Sequence, residues 1–237
     1  MNVALVFAGG IGVRMGATVP KQFLDLNGRP VLVHTLDLFE RHPEIDAIYL
    51  VAASEHAEHS CALAAAHGIT KLKRIVNGGE SAQDSIYNGL VAIGGDMPQE
   101  TTVLIHDGVR PYVDPSVISA NIAAVKESGN AITYTPCYET ILLSSDGHSV
   151  DTMPFRRESY TAQAPQTFRL GDILRAHEKI RSREGRYTDM VDQATICHSL
   201  GIKIRLVPGN RGNIKVTTPE DLHMLGALLS SRKESAE

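Results

Sequence analysis

Residues 3–16 read VALVFAGGIGVRMG, an apolar run that passes directly into a cluster of glycines. A short apolar run bounded by glycines predicts a buried β-strand that ends in a tight turn. Glycine lets the backbone turn several N–H groups toward one concavity, and such a concavity suits phosphate groups. An ordinary turn between a strand and a helix would use the same residues, so the cluster alone leaves both interpretations open.

Two well-known phosphate-binding loops do not fit this stretch. A dinucleotide-binding turn requires a third glycine near Met15, an immediate helix, and an acidic residue at the end of the second strand. Instead, Pro20 interrupts the segment, and the second predicted strand ends at 51–54 without an acidic residue. The Gly-Lys-Ser/Thr sequence of a P-loop does not occur. The pattern therefore argues against NAD-binding dehydrogenases and P-loop NTPases.

The rest of the chain alternates short β-branched runs with amphipathic segments. This alternation predicts an α/β fold with a mostly parallel twisted sheet and helices on both faces. No repeat or shift in composition marks a second domain, so we expect a single domain over residues 1–230. The predicted strands are 3–7, 47–52, 72–76, 102–106, 131–135 and 203–207, and the predicted helices are 31–41, 56–67, 82–93, 115–128, 170–183, 188–200 and 219–229.

Two segments depart from this alternation. Residues 137–164 contain no long apolar helix, and residues 144–147 suggest a hairpin turn, so we predict an extended β-arm outside the sheet. A segment of this length without its own core usually has a function or packs against a partner chain. Residues 231–237 are charged and predict a frayed tail.

Composition limits the partners of the chain. Its 237 residues carry a formal net charge of −4 with no basic block in the predicted domain, so nucleic acid is not expected as a partner. The apolar start is too short to span a membrane and lacks the basic flank of a secretion signal. No membrane association and a cytoplasmic location are therefore expected. The cysteines at 61, 137 and 197 show no CxxC spacing and predict neither a disulfide framework nor a zinc site.

Several motifs along the chain resemble one enzyme family. The first, Gly-x-Gly-x-Arg-Met followed by Pro-Lys, is similar to the signature of sugar- and polyol-phosphate nucleotidyltransferases. The others are Gly-Gly-Glu-Ser at 78–81 with Asp-Ser at 84–85, His-Asp-Gly-Val-Arg-Pro at 106–111, Ala-Pro-Gln-Thr-Phe at 164–168 and Asn-Ile-Lys-Val-Thr-Thr-Pro-Glu-Asp at 213–221. In order and spacing, residues 3–222 resemble the polyol-phosphate cytidylyltransferases, which act on ribitol 5-phosphate or 2-C-methyl-D-erythritol 4-phosphate.

The resemblance implies a Rossmann-like nucleotidyltransferase fold and transfer of CMP from CTP. In this reaction a phosphate oxygen of the polyol attacks the α-phosphorus of CTP and expels pyrophosphate. Because the nucleophile is already anionic, the protein mainly has to align the reactants and neutralise charge. By resemblance, Arg14 and Lys21 hold the triphosphate, Lys215 bridges toward the substrate phosphate, and Mg²⁺ or another divalent cation assists. Without its motif, Lys215 would be interpreted as an ordinary exposed strand residue.

The same resemblance implies the remaining site residues. Asp107 follows the strand predicted at 102–106 and is expected to contact substrate hydroxyls or the metal ion, with Arg110 holding it; a turn-forming aspartate is the alternative. Thr140 and Arg156 match family positions that bind the polyol phosphate, and in relatives the arm that carries them is exchanged across a homodimer. His106 is expected to be structural. The nucleotide-binding residues implied are Ala8, Gly9, Gly10, Gly12, Gly79, Glu80 and Ser85.

Some positions depart from the family pattern. Ala82 stands where an arginine is usual, Ala164 where a threonine is usual, and Glu139 where an aspartate is common. These departures leave a non-catalytic relative that binds CTP as an alternative. The first motif and His-Asp-Gly-Val-Arg-Pro resemble the ribitol 5-phosphate branch more than the methylerythritol branch. Ribitol 5-phosphate is therefore the favoured substrate, and 2-C-methyl-D-erythritol 4-phosphate is the alternative.

Overall fold

The computed structural model describes residues 1–9 and 19–234. Nine strands lie within these ranges: β1 Asn2–Phe7, β2 Asp25–Leu26, β3 Arg29–Pro30, β4 Ala47–Ala52, β5 Leu72–Asn77, β6 Thr102–Asp107, β7 Asn130–Pro136, β8 Tyr160–Arg169 and β9 Leu206–Pro208. The α-helices of the same ranges are α1 Val31–Glu40, α2 Ala57–Ala66, α3 Ala82–Asp96, α4 Pro115–Ser128, α5 Leu170–Arg181, α6 Gln193–Ser199 and α7 Pro219–Glu234.

A seven-stranded sheet forms the centre, in the order β5-β4-β1-β6-β8-β7-β9. β1 pairs in parallel with both β4 and β6, and β8 runs antiparallel to β6 and β7. Every residue of β4 and β6 is buried. Such continuous burial is typical of parallel strands that are covered by helices on both faces. The predicted α/β fold with a mostly parallel sheet is confirmed.

Alternating residues of β1 anchor the helices on the two faces of this sheet. Val3 and Leu5 belong to an apolar layer that includes residues of α3, α5 and α6. Ala4 and Val6 belong to a second layer with residues of α1, α2 and α4. Successive side chains of a strand point to opposite faces, so one apolar strand serves both layers.

The sequence analysis missed β8, which begins inside the predicted arm. Residues 160–164 were predicted to leave the sheet, but they form the first half of a strand that lies between β6 and β7. This strand carries Gln163, Pro165 and Gln166, so it shows no apolar run from which it could be predicted. Its buried glutamines hydrogen-bond within the site described below, which makes their burial possible.

The arm therefore covers residues 137–159. It contains one antiparallel bridge, between Leu143 and Thr152. The intervening turn is closed by Asp146, whose carboxylate accepts hydrogen bonds from the backbone N–H groups of His148 and Ser149. Large apolar side chains of this arm are exposed to solvent: Tyr138, Leu142, Leu143, Val150, Met153 and Phe155.

The ends of some elements differ from the prediction. α6 begins at Gln193 rather than at 188, because Asp192 and Thr195 form a capping box there. α7 runs to Glu234, so this helix continues into the segment predicted as a frayed tail. Within the described part of the chain, every helix is too short or too polar to cross a membrane.

Candidate active site

The candidate site lies at the carboxyl ends of β1 and β6, the edge at which open α/β sheets place ligands. A cavity of about 460 Å³, here called the first cavity, opens at this edge. It lies between the end of β1, the start of α3 and the segment 213–218. The predicted site residues that line it are Ala8, Gly9, Lys21, Gly79, Glu80, Ser85, Asp107 and Lys215. Of the other predicted residues, Gly10, Gly12 and Arg14 lie outside the described part.

One wall of the first cavity is a tight loop before α3. Ser81 caps this helix by accepting a hydrogen bond from the backbone N–H of Asp84 at 3.0 Å. The backbone N–H of Gly79 donates to Oγ of Ser85 at 3.0 Å. A Cβ at position 79 would lie 2.5 Å from Cβ of Asp84, so only glycine fits without a shift of the loop. The loop thus presents backbone, rather than bulky side chains, to the cavity.

Lys21 also lines the first cavity, at the start of a short 3-10 turn that ends at Phe23. Its Nζ donates to the backbone carbonyl of Val216 at 3.0 Å, next to Lys215 in sequence. The buried amide of Gln22 donates to the carbonyl of Ala8 at 2.9 Å and fixes this turn against the end of β1. Gln22 is not predicted as a site residue, because its position next to Lys21 is the only indication of a role that the sequence offers.

Asp107 lies at the centre of the site, between two cations. Its Oδ1 lies 2.5 Å from Nζ of Lys215, and its Oδ2 accepts from Nε of Arg110 at 2.9 Å. Arg110 also donates to the backbone carbonyl of Asn213 at 2.8 Å, and the N–H of Val216 donates to the carbonyl of Val109. The end of β6 and the segment 213–216 are therefore held together by the Lys215–Asp107 ion pair and by the hydrogen bonds of Arg110 and Val109 to the segment.

The charges around Asp107 set its protonation state. Burial alone would raise the pKa of Asp107, but the positive charges and hydrogen bonds of Lys215 and Arg110 outweigh burial and lower the pKa to about 2. The neighbouring His106 is fully buried, and burial lowers its pKa to about 4. Its Nε2 lies 3.0 Å from the backbone carbonyl of Arg110. His106 is thus neutral at pH 7 and lines neither cavity of the site.

A second cavity of about 200 Å³ adjoins the first. The two share Phe7, Ala82, Asp107 and Lys215 as lining residues. Its remaining wall is rich in side-chain amides from α3, β8 and α6, together with one carboxylate. These residues, which the sequence analysis missed, are Gln83, Gln163, Gln166, Asp192 and Gln193. Gln166 lies within the motif at 164–168, but no motif identifies the others, because α3, β8 and the start of α6 meet around this cavity only in the folded chain.

Thr140 and Arg156 do not join this site within one chain. Both are exposed residues of the arm, and neither lines the first or the second cavity.

The described residues do not fit a resident metal ion. Both oxygens of Asp107 are already paired with cations. No cluster of three or more His, Cys, Asp or Glu side chains suited to a metal occurs among the residues that the structure describes. Asp107 is expected to contact the metal ion, but its two oxygens and the side chains around them do not form a set of metal ligands. A divalent cation at this site would need oxygen ligands from a bound substrate.

Comparison with known proteins identifies the family. Residues 2–231 match the sequence model of IspD, 2-C-methyl-D-erythritol 4-phosphate cytidylyltransferase. The chain belongs to this family. A ribitol-5-phosphate cytidylyltransferase from Vibrio parahaemolyticus serotype O3:K6 is 42% identical, over 98% of this chain and 98% of the relative. A 2-C-methyl-D-erythritol 4-phosphate cytidylyltransferase from Syntrophotalea carbinolica is 40% identical, over 96% of this chain and 95% of the relative.

The fold agrees with this assignment to the IspD family. The crystal structure of 4-diphosphocytidyl-2C-methyl-D-erythritol synthase from Anaerococcus prevotii superposes with a TM-score of 0.83 at 30% identity, covering 97% of this chain and 96% of that one. The Rossmann-like nucleotidyltransferase fold implied by the sequence motifs is therefore confirmed, as is the assignment to the cytidylyltransferases, a class of nucleotidyltransferase. Family members of similar identity carry different substrate names, so identity alone does not distinguish the acceptors.

Proposed function

We propose that this enzyme transfers CMP from CTP to ribitol 5-phosphate, with release of pyrophosphate and formation of CDP-ribitol. The observation that carries this proposal is the position of Lys215, which lines both cavities and is held by Asp107. A cation at the boundary between two cavities can contact a nucleotide in one and an acceptor phosphate in the other. This arrangement suits an in-line reaction, in which the acceptor attacks the α-phosphorus from one side and pyrophosphate leaves from the other.

CTP is assigned to the first cavity. The loop around Gly79 and Ser85 leaves room for a planar base against the backbone, and Lys21 lines the same cavity. Lys21, together with Arg14, would neutralise the triphosphate. Because the triphosphate and the acceptor phosphate are both anionic, cations at this site reduce their repulsion.

The reaction then needs no strong general base. An oxygen of the acceptor phosphate attacks the α-phosphorus and forms a new P–O bond, while the bond between the α-phosphorus and the bridging oxygen to the β-phosphorus breaks. The electron pair of that bond leaves with pyrophosphate. Lys215, fixed by Asp107, stabilises the negative charge that develops on the α-phosphate. His106 takes no part, since it is neutral and buried away from the cavities.

Mg²⁺ is proposed to enter as part of the substrate, bound to the triphosphate oxygens of CTP. This assignment follows from the charges at Asp107, whose two oxygens are occupied by cations. It is also consistent with the preference of Mg²⁺ for phosphate oxygens and water over an all-protein site.

The favoured acceptor is supported by two of the motifs. The sequence Phe-Ala-Gly-Gly at 7–10 and His-Asp-Gly-Val-Arg-Pro at 106–111 resemble the ribitol 5-phosphate branch, and the relative from Vibrio parahaemolyticus carries that substrate name. The alternative acceptor is 2-C-methyl-D-erythritol 4-phosphate, supported by the family match and by the relative from Syntrophotalea carbinolica.

A homodimer is proposed to complete the site. The arm exposes Leu142, Met153 and Phe155 to solvent at 56%, 62% and 65% of their surface. Exposed apolar side chains that are grouped on one segment are typical of a surface that packs against a partner. In such a dimer the arm would bring Arg156, and with it Thr140, to the acceptor phosphate in the partner's site. The enzyme is further proposed to act in the cytoplasm, where CTP is available.

The test is pyrophosphate release with CTP and Mg²⁺, run in parallel with ribitol 5-phosphate and 2-C-methyl-D-erythritol 4-phosphate. The proposal expects kcat/KM to be at least about tenfold higher with ribitol 5-phosphate, which corresponds to one well-made polar contact. A reversed preference would support the alternative acceptor. CTP binding without pyrophosphate release from either acceptor would instead indicate a non-catalytic relative.

A further inference from the structure

The wall of the second cavity contains three buried glutamines that form one hydrogen-bonded chain. Gln83, Gln166 and Gln193 are 3%, 5% and 2% exposed and come from α3, β8 and α6. Glutamine is rarely buried unless its amide is hydrogen-bonded. The donors and acceptors of these three glutamines therefore show which amide atoms are hydrogen-bonded within the protein and which are available to a ligand.

Both the oxygen and the nitrogen of the Gln166 amide are hydrogen-bonded within the fold. Its Oε1 accepts hydrogen bonds from the backbone N–H groups of Gln193 and Ala194 at 2.9 and 3.2 Å. Its Nε2 donates to Oδ2 of Asp192 at 3.0 Å. Backbone N–H groups can only donate and a carboxylate can only accept, so the orientation of this amide is determined. Gln166 thereby fixes the start of α6 and the position of Gln193.

Within the described residues, Gln83 hydrogen-bonds only through its carbonyl oxygen and Gln193 only through its amino group. Nε2 of Gln193 donates to Oε1 of Gln83 at 2.8 Å. Among the residues that the structure describes, none hydrogen-bonds with Nε2 of Gln83 or with Oε1 of Gln193. One free donor and one free acceptor thus remain on two neighbouring side chains that line the same cavity. Both atoms are accessible from the cavity rather than enclosed in the core, so they are available to hydrogen-bond with a polar ligand there.

A hydroxyl group matches this pair, because it donates one hydrogen bond and accepts others. Next to the pair, Ala82, Ala162 and Ala164 carry no polar side chain, whereas the charged groups of the wall, Asp107, Arg110, Asp192 and Lys215, suit the acceptor phosphate or are used by the fold. We propose that Gln83 and Gln193 bind one hydroxyl of the acceptor's polyol chain and determine acceptor specificity, with Gln166 as the residue that positions them. This inference rests on the proposed function, because it assigns the acceptor to the second cavity.

The test combines two variants with a set of acceptors that differ by one hydroxyl. Gln83→Met and Gln193→Met keep the length of the side chain and remove its amide. Binding of ribitol 5-phosphate and of its monodeoxy analogues is measured by calorimetry, and their turnover by pyrophosphate release. Gln99→Met is the matched control, since Gln99 is an exposed glutamine before β6, at the opposite end of that strand from Asp107.

For the unchanged enzyme we expect one deoxy analogue to bind about tenfold more weakly than ribitol 5-phosphate, because it leaves the amide pair unsatisfied. For Gln83→Met we expect the same analogue and ribitol 5-phosphate to bind within about twofold of each other, with the KM for CTP unchanged. Gln193→Met should behave like Gln83→Met, and Gln99→Met like the unchanged enzyme.

Equal discrimination among the analogues in the unchanged enzyme and in Gln83→Met would overturn the inference. The proposed function is judged separately by turnover of the unchanged enzyme. If the unchanged enzyme binds the acceptor through Gln83 but releases no pyrophosphate, the proposed catalysis is contradicted, while the role of Gln83 and Gln193 in binding is supported. Failure of every polyol phosphate to bind would contradict both.

Discussion

Nζ of Lys215 lies 2.5 Å from Oδ1 of Asp107, although the two residues come from segments far apart in the sequence. Asp107 closes β6, whereas Lys215 lies in an irregular segment just before α7. The carboxylate holds the ammonium group where the two cavities meet and is itself held by Arg110 on its other oxygen. The ion pair thus fixes the ammonium group that is proposed to stabilise charge on the α-phosphate.

Replacement of Lys215 by methionine should abolish most turnover without unfolding the protein. Removing one preorganised cation from the developing charge typically costs about 10²–10³ in kcat. The measurement is the rate of pyrophosphate release at saturating CTP and acceptor, with circular dichroism to confirm folding. Lys203→Met is the control, since Lys203 is exposed next to the start of β7, away from both cavities. A Lys215→Met rate within a few fold of the original would remove Lys215 from the mechanism.

Gly79→Ala should weaken CTP binding. A Cβ at this position would lie 2.5 Å from Cβ of Asp84 and 3.0 Å from its backbone carbonyl carbon, so the loop would have to move. We expect the KM for CTP to rise by about tenfold or more, because a small displacement of a binding loop is costly.

Gly95→Ala is the matched control for this change. Gly95 lies near the end of α3, and a Cβ there would meet no atom within 4 Å. This substitution should leave the KM unchanged and raise the free energy of unfolding by about 0.5–1 kcal/mol, since alanine favours helix more than glycine does. Equal KM values in the two variants would contradict the assignment of CTP to this loop.

Removal of divalent cations should stop turnover, although residues 1–9 and 19–234 form no cluster suited to a metal ion. Chelation by EDTA should abolish pyrophosphate release, and added Mg²⁺ should restore it. Titration of the nucleotide-free protein with Mg²⁺ in a calorimeter should show no specific binding, because both oxygens of Asp107 are paired with Lys215 and Arg110. Saturable Mg²⁺ binding without CTP would show that the protein itself supplies ligands for the ion.

Two inactive variants should restore activity when they form a mixed dimer. A protomer with Arg156→Ala keeps Lys215, and a protomer with Lys215→Met keeps Arg156. If the arm serves the partner's site, one site of each mixed dimer contains both residues. After co-refolding in equal amounts, we expect about a quarter of the activity of the unchanged enzyme, since half of the dimers are mixed and half of their sites are complete.

The control for this experiment is co-refolding of Lys215→Met with itself, which should give no recovery. Light scattering checks that each preparation is dimeric. Absence of recovery in mixed dimers would show that Arg156 acts in its own chain, and full activity of Arg156→Ala alone would show that Arg156 takes no part.

Two buried histidines should make stability depend on pH. Burial lowers the pKa of His106 to about 4, and burial together with the charge of Arg181 lowers the pKa of His177 to about 4. An unfolded histidine has a pKa of about 6.5, so below that pH the unfolded chain binds protons that the folded chain does not. The free energy of unfolding should therefore fall as the pH drops from about 6.5 to about 4.

Urea unfolding at several pH values measures this slope. His177→Gln should reduce the slope by about half, because it removes one of the two groups. His148→Gln changes an exposed residue of the arm and should leave the slope as it was. A slope that is unaffected by His177→Gln would show that other groups cause the dependence.

The sequence alone determined the fold class and most of the first cavity. The apolar runs at 3–7, 47–52 and 102–106 became the buried parallel strands β1, β4 and β6, because a strand covered on both faces must be apolar throughout. Local motifs also located Gly79, Ser85 and the neighbourhood of Lys215. Each of these predictions depends on residues that are adjacent in the sequence, so it can be made from one short segment.

Only the tertiary structure decided the second cavity. β8 carries polar residues such as Gln163 and Gln166, so its burial depends on hydrogen bonds to residues distant in sequence and not on an apolar run. The hydrogen bond between Gln83 and Gln193 likewise joins residues 110 positions apart in the sequence and exists only in the folded chain. Hydrophobic periodicity is a local signal and can be recognised in one segment. The satisfaction of a buried amide depends on its partner, and the partner is known only once the chain has folded.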